Sequence, residues 1–180
     1  MIFAKTNLEG AFVIQIQKLE DDRGFFARTF CQREFQEHGL NPSLAQCNLS
    51  YNKAKGTLRG MHFQVAPHQE AKLVRCTKGA IQDVIVDIRP DSPTYLKNFS
   101  IELTADEYNA LYVPEGFAHG FLTLEPETYV FYQMSEFYAP GFAGGFRWND
   151  PAFQIEWQDE IHVISERDAD YPDFSEKLMK

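Results

Sequence analysis

The sequence predicts an all-β fold, an antiparallel barrel or jelly roll with a few short helices. Many short apolar segments recur at regular spacing, turn residues separate them, and a single segment has a clear helical pattern. The content of 16 Phe and 8 Tyr also suits strands. An immunoglobulin-type sandwich is the alternative, but it does not explain polar residues in mid-strand. One domain that spans residues 1–180 is expected from the length.

The N-terminal part of the chain is predicted to hold two strands and one helix. Residues 11–17 alternate apolar and polar side chains, which is typical of a half-buried strand. Residues 21–24, "DDRG", predict a turn, and the aromatic residues 25–30 predict the next strand. Residues 32–39 predict a short helix that ends at Gly39.

The rest of the chain is predicted to be mostly strand. Residues 72–89 predict two strands joined at residues 77–79, and residues 120–134 predict a hairpin that turns at residues 125–127. The final segment is polar and predicts irregular structure or a short helix. Composition also predicts strands at residues 99–103, 110–114 and 155–157, and a glycine-rich loop at residues 139–153.

Charge and cysteine content limit the classes of function. The net charge is −9, which argues against nucleic acid as a partner because such binding depends on many phosphate contacts. No apolar run approaches the roughly 18 residues that would predict a membrane span. The N-terminus also lacks the apolar region of a secretory signal. Cys31, Cys47 and Cys76 form no C-x-x-C pair and fit a reducing compartment, so we expect a cytoplasmic protein.

Polar residues inside strand-like segments are the most informative feature of the sequence. Arg59 and His62 are separated by an odd number of positions, so a regular strand would point them to opposite faces. Gly60 lies between them, and a glycine within a strand often marks a β-bulge that redirects side chains. The sequence therefore predicts a bulge that lets one pocket collect both residues.

A metal site is the first possibility for these histidines. The P-x-G-x-x-H pattern of metal-binding barrels is present at residues 114–119 and ends in His119. Its usual partner, an H-x-H pair, is not, because Gln64 follows His62 at the second position. We therefore predict no metal. A metal-dependent enzyme that uses His62, Glu70 and His119 is kept as the alternative.

An anion site is the second possibility. Arg59, Lys72 and His119 would place several positive groups together, which is costly unless an anion or a developing oxyanion lies among them.

A set of motifs in fixed order resembles a known family, the dTDP-4-dehydrorhamnose 3,5-epimerases. The resemblance covers nearly the whole chain, and its segments are "DDRGFFARTF", "LRGMHFQ", "QEAKLVRCTKGAIQDVIVDIR", "YVPEGFAHGFLTL", "VFYQMSEFY", "FRWNDPAFQIEW" and "ISERDADYPDF". It implies a cupin-type jelly roll, a homodimer, and catalysis without a metal or other cofactor. It also implies a small-molecule substrate, a nucleotide-linked 4-keto-6-deoxyhexose, which would be epimerised at C3, C5 or both.

The resemblance also implies roles for individual residues. His62 matches the family's general base, Asp168 the carboxylate that orients it, Lys72 the cation beside the keto oxygen, and Tyr132 the general acid. The remaining substrate-binding candidates are Arg59 and His119 around the sugar and diphosphate, Arg23, Phe26, Gln46, Asn48 and Tyr138 near the nucleotide, together with Arg28 and Arg167.

Arg28 is a departure from the family pattern, which usually has a glutamate at this position. An acceptor-only carboxylate is thus replaced by a guanidinium with five donors. The sequence therefore does not decide whether the nucleotide carrier is thymidine, cytidine, uridine or guanosine. It also does not decide whether C3, C5 or both carbons are epimerised. A non-catalytic module that binds sugar nucleotides is a further alternative.

Overall fold

The computed structural model of the chain describes residues 1–179, so Lys180, the last residue of the predicted domain, lies outside it. The described part is mostly strand, as predicted. Its strands are β1 (Ile2–Lys5), β2 (Phe12–Gln15), β3 (Leu19–Asp21), β4 (Gly24–Phe26), β5 (Gln46–Asn52), β6 (Thr57–Gln64), β7 (Lys72–Lys78), β8 (Ala80–Asp87), β9 (Asn98–Thr104), β10 (Ala110–Val113), β11 (Phe117–Thr123), β12 (Thr128–Met134), β13 (Ala143–Gly145) and β14 (Val163–Ile164). Its helices are α1 (Gln32–Glu37), α2 (Glu166–Ala169) and a 3-10 helix at Glu176–Met179.

Two large sheets form the body of the protein. The first sheet has the order β1-β2-β10-β7-β12-β5, and the second has the order β13-β6-β11-β8-β9 with β14 beside β6. Pairing within the two sheets is antiparallel except for the short β14–β6 contact. A separate hairpin, β3–β4, lies in the segment between β2 and α1.

The main core lies between the two sheets. It combines fully buried side chains of the first sheet, among them Val74 and Leu111, with Ile81 and Ile85 of the second. β8 and β11 are buried along their whole length, whereas β5 alternates between buried or half-buried and exposed positions. Burial of apolar surface from both sheets is therefore the main force that holds them together.

Several local predictions are confirmed. The strand expected in residues 11–17 is β2, with Phe12 and Ile14 buried. The helix expected in residues 32–39 is α1, and Gly39 follows it with φ of 71°, in the left-handed region that suits a helix end.

Three predictions about strands are wrong. Residues 120–134 do not form a hairpin, because β11 and β12 belong to opposite sheets and pair with other strands. The strand expected in residues 25–30 ends at Phe26 in β4. Residues 155–157 form no strand, and Gln82, in β8, instead makes hydrogen bonds with the backbone on both sides of Trp157.

The predicted bulge at Gly60 is confirmed. His62 pairs with His119 across β6 and β11, whereas Arg59 pairs with Phe121, so the register shifts between the two pairs. Gly60 has φ of 135°, and a Cβ there would lie 2.5 Å from the Cα of Gly120. The two backbones approach this closely only because neither residue has a side chain.

We predict that Gly60→Ala destabilises the protein by at least about 2 kcal/mol, because the new methyl group meets backbone rather than a flexible side chain. Urea unfolding followed by circular dichroism measures this difference. The control is Gly141→Ala, where a Cβ meets nothing within 4 Å, so a change within about 0.5 kcal/mol is expected. Similar stability of both variants would contradict the conclusion that the close approach of Gly60 and Gly120 requires glycine at position 60.

Candidate active site

Two adjoining cavities open between the sheets, and each has a volume of about 400 Å³. His62, Lys72 and Tyr132 line both cavities, so they mark the region where the two meet. The first cavity continues towards Arg59 and His119, and the second towards the side chains of Gln46, Asn48, Tyr138 and Arg167.

The two sheets contribute different groups to this region. His62 lies on β6 of the second sheet, whereas Lys72 on β7 and Tyr132 on β12 belong to the first. β7 and β12 are direct neighbours, with Tyr132 opposite Val74. The imidazole therefore faces the ammonium and the phenol across the interior of the protein.

A buried carboxylate holds the imidazole of His62. Nε2 of His62 lies 2.8 Å from Oδ1 of Asp168, and the other carboxylate oxygen accepts a hydrogen bond from the backbone N–H of Gly60 at 3.2 Å. Asp168 is fixed in turn because Ser165 caps α2 and accepts a hydrogen bond from the Asp168 N–H. With Nε2–H donated to Asp168, the lone pair of Nδ1 is left available.

The charge of Asp168 is stabilised in the folded protein. Burial alone would raise its pKa, but the hydrogen bond and charge of His62, with the bonds to Gly60 and Ser165, hold the pKa below its ordinary value. Asp168 therefore stays ionised next to the imidazole. An ionised partner fixes the tautomer of the ring and favours its protonated form once it has accepted a proton.

Lys72 is a nearly buried cation with one carboxylate partner. Its Nζ lies 3.0 Å from Oε1 of Glu70, and the two side chains are 9% and 5% exposed. Both residues line the second cavity beside His62 and Tyr132. A positive charge in such an enclosed position acts strongly on any oxygen that enters the cavity.

The phenol of Tyr132 remains protonated over a wider pH range than a free tyrosine. Burial raises its pKa, the charge of Arg59 lowers it, and the charge of Glu70 raises it further, so the pKa lies above 10. Tyr132 is thus a proton donor at neutral pH.

A second histidine–aspartate pair lies on the other side of the cavity. Nε2 of His119 is 2.7 Å from Oδ1 of Asp83, which is completely buried. Arg59 donates from Nε to Oδ1 of Asn52 at 2.8 Å. Both side chains are therefore held in fixed orientations along the first cavity.

The far end of the second cavity is lined by substrate-binding candidates from the same chain, namely Gln46, Asn48, Tyr138 and Arg167. Gln46 accepts a hydrogen bond from the backbone N–H of Tyr138, which ties β5 to the segment after β12. The guanidinium of Arg167 lies 5.6 Å from the ring centre of Tyr171, in a cation–π contact next to the cavity. An exposed aromatic ring, an arginine and two amides suit a planar base and its phosphates.

Arg23, Phe26 and Arg28 are not brought to this cavity by the chain that carries them. Arg23 and Phe26 belong to the β3–β4 hairpin, where Phe26 is 71% exposed and Arg23 pairs with Asp21. Arg28 pairs with Glu34 of α1 at 2.9 Å. Within one chain, as described for residues 1–179, the structure gives no support to the prediction that these three residues bind substrate.

The described residues contain no group of three His, Cys, Asp or Glu side chains arranged to hold a metal ion. Each of the proposed ligands has another partner instead. His62 binds Asp168, His119 binds Asp83, and Glu70 binds Lys72.

Two residues at the site were missed from the sequence. Asp83 could have been predicted from the sequence, because a carboxylate inside the apolar strand β8 requires a partner. Tyr171, whose ring lies 6.0 Å from that of His62 in an edge-on contact, gave no such signal.

Comparison with known proteins shows the same family over the full fold. A sequence model of "dTDP-4-dehydrorhamnose 3,5-epimerase" matches residues 5–176. The chain belongs to this family. The prediction of that family, of a cupin-type jelly roll rather than an immunoglobulin-type sandwich, and of an isomerase is confirmed.

Individual relatives cover nearly the whole chain. The dTDP-4-dehydrorhamnose 3,5-epimerase of Sinorhizobium fredii is 40% identical over 98% of this chain and 91% of its own length. The crystal structure of the epimerase from Elizabethkingia anophelis has a TM-score of 0.94 at 38% identity and covers 99% of this chain and 98% of that one. The epimerase of Bacillus anthracis, solved with TDP and PPi bound, has a TM-score of 0.92 at 39% identity, with 96% and 99% covered.

These relatives support the epimerase hypothesis and not the metal-dependent alternative. Among the residues that the structure describes, no helix has the length and apolar character needed to cross a membrane.

We predict that Asp168→Asn destabilises the protein by about 1–3 kcal/mol at pH 7, because a buried, charge-assisted hydrogen bond is lost. Since the folded pKa lies below 3.8, the carboxylate stabilises the fold above about pH 3.8, and the contribution disappears as the pH falls through the folded pKa. Urea unfolding at pH 7 and pH 3 measures the change.

Asp170→Asn is the control, because this neighbour at the end of α2 is exposed. An equal loss for Asp168→Asn at both pH values would contradict the stabilisation of the ionised form.

Proposed function

We propose that this protein epimerises C3 and C5 of a dTDP-linked 4-keto-6-deoxyhexose by proton abstraction and reprotonation. The observation that carries the proposal is the placement of His62 opposite Lys72 and Tyr132 in one cavity. Family membership supports the substrate class, since its members are named for this reaction.

The first step is removal of a proton from carbon. Hydrogens on C3 and C5 are acidic because each carbon adjoins the C4 ketone, so the electron pair of the broken C–H bond passes to the carbonyl oxygen. His62 accepts the proton on Nδ1, since Nε2 is held by Asp168. An imidazole has an ordinary pKa near 6.5, which is close to the pH at which a base is most effective.

The second requirement is stabilisation of the enolate oxygen. Lys72 supplies a preformed positive charge at the point where the cavities meet. A donor of this kind typically lowers a barrier by about 3 kcal/mol. Arg59 and His119 line the side of the cavity that suits the diphosphate and sugar hydroxyls.

The third step returns a proton to the opposite face of the carbon. Tyr132 lies on the sheet that faces His62, and its raised pKa keeps the hydroxyl protonated. Donation from Tyr132 inverts the centre, and exchange with solvent then restores both the phenol and the neutral imidazole. One pair of groups can serve both carbons if the sugar ring is repositioned between steps.

Thymidine is the proposed carrier, as in the family name and in the TDP complex of the Bacillus anthracis relative. Arg28 replaces the family's glutamate, but its charge is matched within the chain by Glu34. Other carriers are therefore alternatives that a substrate panel decides. The cytoplasmic location expected from the cysteine content, and catalysis without a cofactor, belong to the same proposal.

We predict that the protein incorporates solvent deuterium at C3 and C5 of the dTDP-linked 4-keto sugar. Proton NMR in deuterium oxide, with dTDP, UDP, CDP and GDP carriers in parallel, measures carrier and carbon together. His62→Ala is expected to lower the exchange rate at least about a hundredfold, since general base catalysis contributes at least that much. Lys78→Ala, on an exposed part of β7, is the control and retains activity.

Binding of the nucleotide sugar without exchange by the folded wild-type protein would favour the non-catalytic module. Exchange at one carbon alone would favour a 3-only or 5-only epimerase.

The homodimer is part of the proposal, because the β3–β4 hairpin has no role in its own chain's cavity. By resemblance Arg23 and Phe26 contact the nucleotide, yet both lie exposed on this hairpin. The edge strand β5 also exposes apolar side chains beside the first cavity, with Leu49 61% exposed. A second copy whose hairpin reaches this cavity would bring the missing groups to the nucleotide and cover the edge.

A mixing experiment tests this arrangement. His62→Ala lacks the base, and Arg23→Ala combined with Phe26→Ala lacks the hairpin contacts, so each homodimer is expected to be nearly inactive. After unfolding and refolding an equal mixture, about one quarter of all sites would combine an intact base with an intact hairpin from the other chain. The exchange rate of the mixture measures that fraction. No recovery, or a monomer by analytical ultracentrifugation, would contradict the shared site.

A further inference from the structure

We infer that Glu70 is a positioning residue for the proposed epimerisation: its carboxylate holds the Lys72 ammonium in place at the cavity wall. The inference rests on the proposed function and adds to it a residue that neither the motif nor the metal hypothesis assigned to this task.

The contact between the two side chains is short and enclosed. Oε1 of Glu70 is 3.0 Å from Nζ of Lys72, and both side chains are more than nine-tenths buried. A buried ammonium without a counter-ion tends to lose its proton, and a neutral amine would stabilise an enolate oxygen far less. The carboxylate of Glu70 therefore acts as the counter-ion of the Lys72 ammonium in this enclosed position.

The hydrogen bonds of Glu70 argue against a purely structural role. Its second oxygen, Oε2, is buried and has no hydrogen-bond partner among residues 1–179. By contrast, buried Asp87 binds Arg89, Ser92 and Thr94 through its carboxylate. A half-satisfied buried carboxylate costs stability rather than adding it. Its position beside Lys72 is explained by its pairing with the ammonium.

Glu70 also acts on the proton donor. Its charge raises the pKa of Tyr132 together with burial, against the opposing effect of Arg59. The titratable and charged groups that line the cavities with Tyr132 are Tyr51 from β5, Arg59 and His62 from β6, Lys72 from β7, His119 from β11, Glu70 from the segment before β7, Tyr138 from the segment after β12, and Arg167 from α2. Glu70 is the one carboxylate among these lining residues, so its removal makes the charge of the cavity lining more positive.

The experiment compares Glu70→Gln with the wild-type protein in steady-state epimerisation across pH. We expect kcat to fall about tenfold with KM within about twofold, because the lost interaction matters mainly in the transition state. We also expect the basic limb of the kcat profile to move to lower pH by at least about half a unit, since Tyr132 would lose its proton more readily without the charge of Glu70.

The matched control is Glu127→Gln, which removes the carboxylate of an exposed glutamate–lysine pair with Lys78. Its kcat and its basic limb should equal those of the wild type. Glu70→Asp keeps the charge but withdraws it by one methylene group, so both effects should appear in the same direction and be smaller. This variant decides the question alone if Glu70→Gln does not fold.

A loss of kcat with an unmoved basic limb would show a merely structural role and overturn the inference, and so would a wild-type kcat. Absence of exchange in the wild-type protein, with every carrier, would instead overturn the proposed function itself.

Discussion

The close approach of two glycines is the constraint on which the arrangement of the cavity depends. Gly60 and Gly120 bring the backbones of β6 and β11 together at a register shift. Without that shift, Arg59 and His62 would face opposite sides of the sheet. The bulge therefore converts a regular barrel wall into one that presents a guanidinium and an imidazole to the same interior space.

The cavity is cationic although the protein carries a net charge of −9. This is possible because its nitrogen groups face the interior space while carboxylates support them from behind or from the side. Asp168 and Asp83 support the two histidines, and Glu70 supports the ammonium. The two imidazoles and the ammonium are thus each paired with a carboxylate and still line the cavity. Donors fixed in this way stabilise developing negative charge without large reorganisation.

Local signals in the sequence were sufficient to predict most strands and helices. Relations between segments that are distant in the chain could not be predicted in this way. The alternation in β2 and the glycine after α1 depend on neighbouring residues, so both were predictable. The assignment of β11 and β12 to opposite sheets depends on partners far along the chain, and the same turn residues also suit a hairpin. Tyr132 and Asp168 resembled ordinary core and surface residues until the family pattern identified them. In the proposed homodimer, the position of the β3–β4 hairpin relative to a nucleotide depends on a second copy, which no pattern within one chain encodes.

The order of the chain has a consequence for the imidazole of His62. The imidazole and its carboxylate are 106 residues apart, and the carboxylate lies on α2, which follows the strands of both sheets in the chain. Both sheets have nearly all their strands by the end of β12. In chain order, the imidazole and the sheets that carry it therefore precede the group that orients it. Loss of α2 would leave His62 on the same strand but without the carboxylate that fixes its tautomer.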